Sequence, residues 1–357
     1  MYIQEGYLQY LLTIKYGDGP GGVEMKICNT ILEAIGNTPM VRLNRVSKGI
    51  EANIFVKCEF MNPSGSTKDR IALWMIEEAE KKGKIRPGGV VTESSTGNTG
   101  IALSFVSAVK GYKTIIYMPK GWATEDRTKI IKAYGAEVIE IEIGEEIERE
   151  LQGKSVHGGV VEMIPRKKAL ELETNNENTW WARQALNPDN IAAHRETTGR
   201  EIIEQTDGKV DAFVAAIGTG GTLLGVSEAL KEVNPNVKIY AVEPASFSLF
   251  EKVPKHKMAP ILFPYMEKYG IPGVVGWIVT EIEKRNMVEQ FYLIEDKEAI
   301  GMAHRLCKEE GLFCGMSSGA NVFAALEVAK GLGKNKNIVA ILPDSRDRYF
   351  VTEHFTT

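Results

Sequence analysis

An α/β fold with mainly parallel sheets is what this chain predicts, on three observations. Short β-branched runs alternate with helix-patterned segments along its 357 residues. Several of those runs are apolar throughout, as strands covered on both sheet faces must be. Three loops rich in glycine and hydroxyl residues follow apolar runs and lead into helix patterns.

Taken in order, the predicted strands are Ile54–Cys58, Val90–Thr92, Thr114–Met118, Glu137–Ile141, Ala212–Ala216, Lys238–Val242 and Ile338–Leu342. Helix patterns fall between them. The segment from Asp69 to Lys82 puts Ile71, Trp74, Met75 and Ala79 on one face, with Glu77 and Glu78 four residues before Lys81 and Lys82. Gly100–Lys110, Thr124–Tyr134, Thr222–Val233, Lys297–Glu310 and Ser318–Lys330 follow suit. The charged stretch from Ile143 to Asn178 breaks the rhythm and reads as a surface excursion near a lobe boundary. Pro244 to Gly276, rich in Pro, Lys and aromatics, reads as a loop over a cleft. No internal repeat and no low-complexity segment stands out.

The composition is that of an ordinary soluble chain, 43% hydrophobic and 25% charged. This length predicts either two lobes or one large domain. A net charge of −4 gives no support to a nucleic-acid partner. The basic runs Lys81-Lys82 and Arg166-Lys167-Lys168 read as solvated faces. No apolar stretch approaches the ~20 residues of a membrane span. Residues 1–24 show no secretory plan and read as an extension. Cys28, Cys58, Cys307 and Cys314 lack metal-ligand spacing and read as reduced core thiols in a cytoplasmic protein. The five histidines form no metal-binding pair, so no metal is expected.

The chemistry concentrates in the loops. Lys68 sits in Asn62-Pro-Ser-Gly-Ser-Thr-Lys-Asp-Arg70, a turn-rich stretch running into a helix. A lysine desolvated there loses proton affinity and can form a Schiff base. Gly218-Thr219-Gly220-Gly221-Thr222 lets successive backbone N–H groups converge at a helix amino terminus, a geometry that binds phosphate. It is not a dinucleotide fingerprint, because Leu223 stands at the third glycine position, and no P-loop pattern occurs. Ser94-Ser95-Thr96-Gly97-Asn98-Thr99-Gly100 suits a carboxylate. Read alone, each loop is also a plain strand–helix turn and Lys68 a surface lysine. Read together, one lysine and two anion cradles suggest a phosphorylated carbonyl cofactor held as an imine.

These pieces resemble the pyridoxal-phosphate enzymes of fold type II, tryptophan synthase β-like, and within them the cysteine synthase and cystathionine β-synthase family. The matching elements run in the family's order: Ile35-Gly-Asn-Thr-Pro39, Lys57 to Arg70, Ser95 to Gly100, Gln184, Asn187-Pro188, Thr197-Thr-Gly199, Gly218 to Thr222, Gly315-Met-Ser-Ser-Gly319 and Leu342-Pro-Asp-Ser345. The resemblance implies two α/β lobes with the active site in the cleft between them. The large phosphate-binding lobe is expected at 25–60 and 186–357, and the small mobile lobe at 61–185. It implies that Lys68 holds the cofactor and moves the substrate's α-proton. Asn98 would bond the cofactor's 3-hydroxyl, Gly218 to Thr222 its phosphate, and Ser345 its ring nitrogen. Ser95, Thr96, Gly97, Thr99 and Gln184 would bind the substrate carboxylate, with Gly276 on the far wall. The implied reaction is β-replacement on L-serine or O-activated L-serine through an aminoacrylate, giving L-cysteine from sulfide or another thiol nucleophile. Cystathionine formation from homocysteine, or β-elimination of L-cysteine releasing sulfide, uses the same site. A homodimer is also implied. A non-catalytic module binding phosphate or carboxylate is the rival of another class, and it would not need Lys68.

The chain departs from the family's pattern at Ser95-Thr96, where Thr-Ser is usual. Ala185 replaces a ring after Gln184, which predicts room for a bulkier nucleophile. Trp277 and Ile278 stand where small residues are expected. Glu281 reads either as a surface glutamate or as a group able to activate water near the mouth, and Trp122 as a residue shaping the entrance.

Overall fold

The computed structural model describes residues 27–142, 163–245 and 274–352. Its strands are β1 (Met40–Arg42), β2 (Asn53–Cys58), β3 (Val90–Ser94), β4 (Lys113–Pro119), β5 (Glu137–Ile141), β6 (Thr179–Trp181), β7 (Ala212–Ala216), β8 (Lys238–Pro244), β9 (Val288–Ile294) and β10 (Asn337–Leu342). They form a six-stranded sheet, β1-β2-β10-β7-β8-β9, and a four-stranded sheet, β5-β4-β3-β6. β1 runs antiparallel to β2, and every other described pairing is parallel. All strands of the four-stranded sheet come from residues 90–181.

The apolar runs earn their burial on two faces. Along β10, Ile338, Ala340 and Leu342 enter one core cluster, while Val339 and Ile341 enter another. β7 alternates the same way, with Ala212 and Val214 on one side and Phe213 and Ala215 on the other. Side chains alternate along a strand, so a central strand with helices on both faces has no polar side to offer.

The helices are α1 (Lys68–Lys81), α2 (Asn98–Lys110), α3 (Glu125–Ala133), α4 (Met163–Asn175), α5 (Pro188–Ala193), α6 (Arg200–Gln205), α7 (Gly221–Val233), α8 (Val274–Arg285), α9 (Asp296–Arg305) and α10 (Met316–Leu332). A π-turn, His194–Gly199, joins α5 to α6, and another, Leu306–Glu310, extends α9. The stretch read as a surface excursion therefore contains α4. Its Ala169 is fully buried and packs with Tyr117 and Trp181 on the four-stranded sheet. Arg166, expected on a solvated face, is only 5% exposed. Lys168 of the same run is exposed, so the run straddles the boundary of a buried face. Cys58 and Cys314 are core thiols as expected, whereas Cys28 is exposed, and none of the four is disulfide-bonded. The amino-terminal extension and most of the Pro244–Gly276 stretch lie outside the described residues.

Candidate active site

The carboxyl end of β10 is where the loops converge, as ligand-binding loops do in open α/β sheets. Thr67 N–H donates to Pro343 O at 2.8 Å, and Ser345 N–H donates to Gly65 O at 3.0 Å. Ser66 and Asp344 form an isolated antiparallel bridge. These bonds fasten the segment before Lys68 to the end of the central strand. The first turn of α1 is anchored by charge. Arg70 Nε lies 2.6 Å from Glu59 and its Nη1 2.6 Å from Glu201, while Lys57 Nζ lies 2.6 Å from Glu201. Burial alone would raise the Glu59 carboxyl, but the Arg70 guanidinium outweighs it and holds the group at about 2. Opening this network would strand buried charges, so Lys68 starts from a fixed base.

A cavity of about 210 Å³ is lined by Thr67, Lys68, Asn98, Ala215, Ala216, Ile217, Gly218, Thr219, Gly220, Thr222, Ser317, Asn321, Ile341, Pro343, Asp344 and Tyr349. Five of the sequence-predicted cofactor residues therefore share one wall with Lys68. A neighbouring, largely apolar cavity of about 330 Å³ shares Ala216, Ile217 and Ser317 and follows the ends of β7, β8 and β9. Burial lowers the Lys68 pKa against the opposing pull of Asp344. That favours the neutral amine that nucleophilic and basic roles require.

The glycine loop is built around close approaches. Gly220 caps α7 in the left-handed region, φ 78°, and a Cβ there would lie 1.9 Å from Ile278 Cδ1. A Cβ on Gly221 would lie 1.9 Å from Asn190 Oδ1, so this glycine faces Asn190 and is absent from the cavity lining. Asn190 Nδ2 donates to Thr219 Oγ1 at 2.9 Å. Behind the loop, fully buried His194 contacts Thr222 Oγ1 through Nε2 at 3.1 Å and Thr198 Oγ1 through Nδ1 at 2.9 Å. Burial, assisted by the Lys68 charge, pushes this imidazole down to about 3, so it is neutral at physiological pH. Among the described residues no side chain caps α7, which leaves its first amides for an anion.

The second loop is more self-contained. Ser95 Oγ accepts from Gly97 N–H at 3.3 Å and Gly100 N–H at 3.1 Å, so it serves the helix start as a cap does. Thr99 Oγ1 donates to Gln184 Oε1 at 2.5 Å, and Gln184 N–H donates to buried Glu93 at 2.8 Å. Thr96 and Gly97 are half-buried on the same turn. Asn98 is the residue of this loop that reaches the cavity. Its Nδ2 donates to Asp344 Oδ2 at 2.7 Å, while its Oδ1 is buried with no partner among the described residues.

Ser345 is a correction. It does not line the cavity; its backbone bridges Cys314, and it precedes the turn Arg346–Tyr349. Alternation along the extended segment turns Asp344 toward the cleft, with Ser345 not among the lining residues. Ser317, at the start of α10, supplies a hydroxyl on the cavity wall instead. It lay within the Gly315–Gly319 motif, where no role was assigned. Asp344, Tyr349 and Asn321 were also missed as wall residues. Gly276 falls within α8, and its surroundings are outside the described residues. Glu281 pairs with Arg285 on its own helix, and its side chain is half-buried, 18% exposed. Trp122 is 44% exposed, and Ala185 is buried and absent from the described lining.

A family model described as pyridoxal-phosphate dependent enzyme matches residues 31–344. The chain belongs to this family. A cysteine synthase of Staphylococcus aureus is 39% identical over 330 residues, spanning 92% of this chain and 97% of that protein. A cystathionine beta-synthase of Apis mellifera is 38% identical over 335 residues, spanning 92% of this chain and 62% of that one. The crystal structure of a cysteine synthase from Entamoeba histolytica superposes with a TM-score of 0.78 at 35% identity, covering 95% of this chain and 94% of that one. The fold-type-II expectation is thus met, and the family's cofactor is pyridoxal phosphate. The site fits that group: an uncapped helix start for the phosphate, a buried orphan carbonyl on Asn98, and an amine on Lys68 that no described residue hydrogen-bonds. Among the described residues no His, Cys, Asp and Glu cluster could hold a metal ion, and no helix is long and apolar enough to cross a membrane.

Proposed function

We propose that this chain carries out β-replacement on L-serine or O-activated L-serine, joining the β-carbon to sulfide to form L-cysteine. The observation that carries this reading is the Lys68 amine, deprotonation-prone through burial, in one cavity with an uncapped phosphate-type cradle. Pyridoxal phosphate bound there supplies the electron sink that lets a β-substituent leave.

The chain's own groups do the rest. Gly218, Thr219, Gly220 and Thr222 hold the phosphate with backbone N–H groups and two hydroxyls, supported from behind by Asn190 and His194. The amides around Gly221 complete the helix start. Ser317, on the cavity wall, would take the role first given to Ser345 and offer its hydroxyl to the ring nitrogen. A hydroxyl there is a weak acid and leaves the ring a moderate sink, which favours β-chemistry over transamination. Ser95, Thr96, Gly97, Thr99 and Gln184 receive the substrate carboxylate. Lys68 Nζ takes the α-proton and returns it after the nucleophile has added. Closing of residues 61–185 over the cleft excludes water. A homodimer and a cytoplasmic location belong to the same reading.

The Apis mellifera relative supports a second reading, condensation with homocysteine. A product assay separates them. Purified protein is given L-serine or O-acetyl-L-serine with either sulfide or homocysteine, and products are resolved by chromatography. Cysteine as the main product supports the first reading, cystathionine the second. No β-replacement product with any pair contradicts both.

A further inference from the structure

We propose that Asp344 is a positioning and charge-setting residue of this site: it fixes the orientation of Asn98 and, through its negative charge, opposes the loss of a proton from the Lys68 nitrogen. The proposal rests on the reading of Lys68 as the cofactor-bearing residue.

Asp344 is 3% exposed and lines the cavity together with Lys68, Asn98 and Tyr349. Its backbone is held on two sides: by Ser66 of the segment before Lys68, and by Gly315 N–H, which donates to Asp344 O at 2.9 Å. Its Oδ2 accepts from Asn98 Nδ2 at 2.7 Å and from Tyr349 Oη at 2.9 Å. Its Oδ1 is buried with no partner among the described residues. Space for that oxygen comes from a glycine, because a Cβ on Gly315 would lie 2.2 Å from it. A carboxylate has thus been accommodated with two donors on one oxygen and none on the other.

Two consequences follow. An ionised carboxylate only accepts, so Asn98 must turn its NH₂ toward Asp344. Asn98 Oδ1 is then the atom left for a ligand, and it calls for a donor such as a hydroxyl. The second consequence is charge. A buried carboxylate is costly unless a cation or proton offsets it. No described salt bridge reaches Asp344, while the Lys68 amine shares its cavity. The anion therefore favours the protonated form of that nitrogen.

Other charges face the pair. Burial raises the Asp344 carboxyl; the donors Asn98 and Tyr349 oppose it, joined by Arg127 of α3, which lies 5.3 Å from the centre of the Tyr349 ring, and by Arg348. Cys314, whose thiol is pushed up to about 12, is neutral. His194, behind the glycine loop, is neutral as well. Asp344 is thus the one acidic side chain among the described residues lining this cavity.

The test is a pH titration of the visible absorption band of the holoenzyme. In Asp344→Asn the apparent pKa of that band falls by about one unit or more, a tenfold weaker hold on the proton. In Tyr349→Phe, which removes a donor that favours the ionised Asp344, the apparent pKa falls by less than in Asp344→Asn. A wild-type titration retained by Asp344→Asn with cofactor bound overturns the proposal. So does a rise or no change in Tyr349→Phe, which decides the matter alone if Asp344→Asn does not fold. Wild-type protein with no visible band after loading with the cofactor would instead sink the reading of Lys68.

Discussion

The corner between β7 and α7 and the corner between β3 and α2 are built alike and finished differently. Each leads from a strand through glycines and hydroxyls into a helix. At the first, Gly220 takes the left-handed turn and α7 begins with no described side-chain cap. Its amides are left for a ligand. At the second, Ser95 already accepts from the amides of Gly97 and Gly100, and Thr99 spends its hydroxyl on Gln184. A dianion can settle into the first corner as it stands. A carboxylate at the second must replace internal hydrogen bonds, so binding there is coupled to rearrangement. Under the proposed function, the permanent cofactor would take the preformed cradle and the transient substrate the adaptable one.

The sharpest break would come at Lys68, which stands between the two. Lys68→Ala should lower kcat on the order of 10³-fold or more in a steady-state assay, with phosphate-corner binding of the cofactor retained in equilibrium dialysis. Loss of that binding would mean the first corner is not preformed. Next in size is a pair of glycine variants. Gly220→Ala places a methyl 1.9 Å from Ile278 at φ 78°. It should cost about 1–3 kcal/mol in urea unfolding and release the cofactor. Gly97→Ala meets nothing nearer than Arg127 Nη1 at 3.8 Å and should leave both nearly unchanged. Equal losses would erase the distinction between the corners.

Thr99→Val should raise KM for the amino acid about tenfold, with cofactor affinity untouched. An unchanged KM would remove Thr99 from the adaptable cradle. The smallest effect concerns pH. His194 behind the phosphate corner has its pKa depressed by burial to about 3, below the ordinary value of 6.5. For such a base the unfolded chain binds more protons between those values. Its contribution to stability is present above 6.5 and is lost as pH falls toward 3. Urea midpoints measured across that window should decline more steeply in wild type than in His194→Asn. Parallel declines would contradict the buried neutral imidazole.

Much of the fold was legible because two-sided burial leaves a continuous apolar signature. β7 was read at its observed bounds and β10 to within one residue. β9 was missed because, at a sheet edge, it mixes exposed and half-buried positions. β1 and β6 are three residues each, too short to show a period. α4 was hidden by its charges, and burial of Arg166 is a tertiary fact that no local pattern announces. The site was legible where its residues are contiguous: Lys68, Asn98 and the Gly218–Thr222 loop reach one cavity or its rim. Ser345 was expected at the cavity and is not among its lining residues, because the side of an extended segment that faces a cleft depends on the segment's pairing with Ser66 and Cys314. Asp344, one residue earlier in the same motif, was passed over for the same reason.

The account stands on Lys68 as the residue that carries the cofactor. Borohydride reduction of the holoenzyme, followed by proteolysis and mass spectrometry, tests this directly. The account predicts a pyridoxyl group on the peptide containing Lys68 and on no other. A label on a different lysine, or no label on protein that has bound the cofactor, would contradict it.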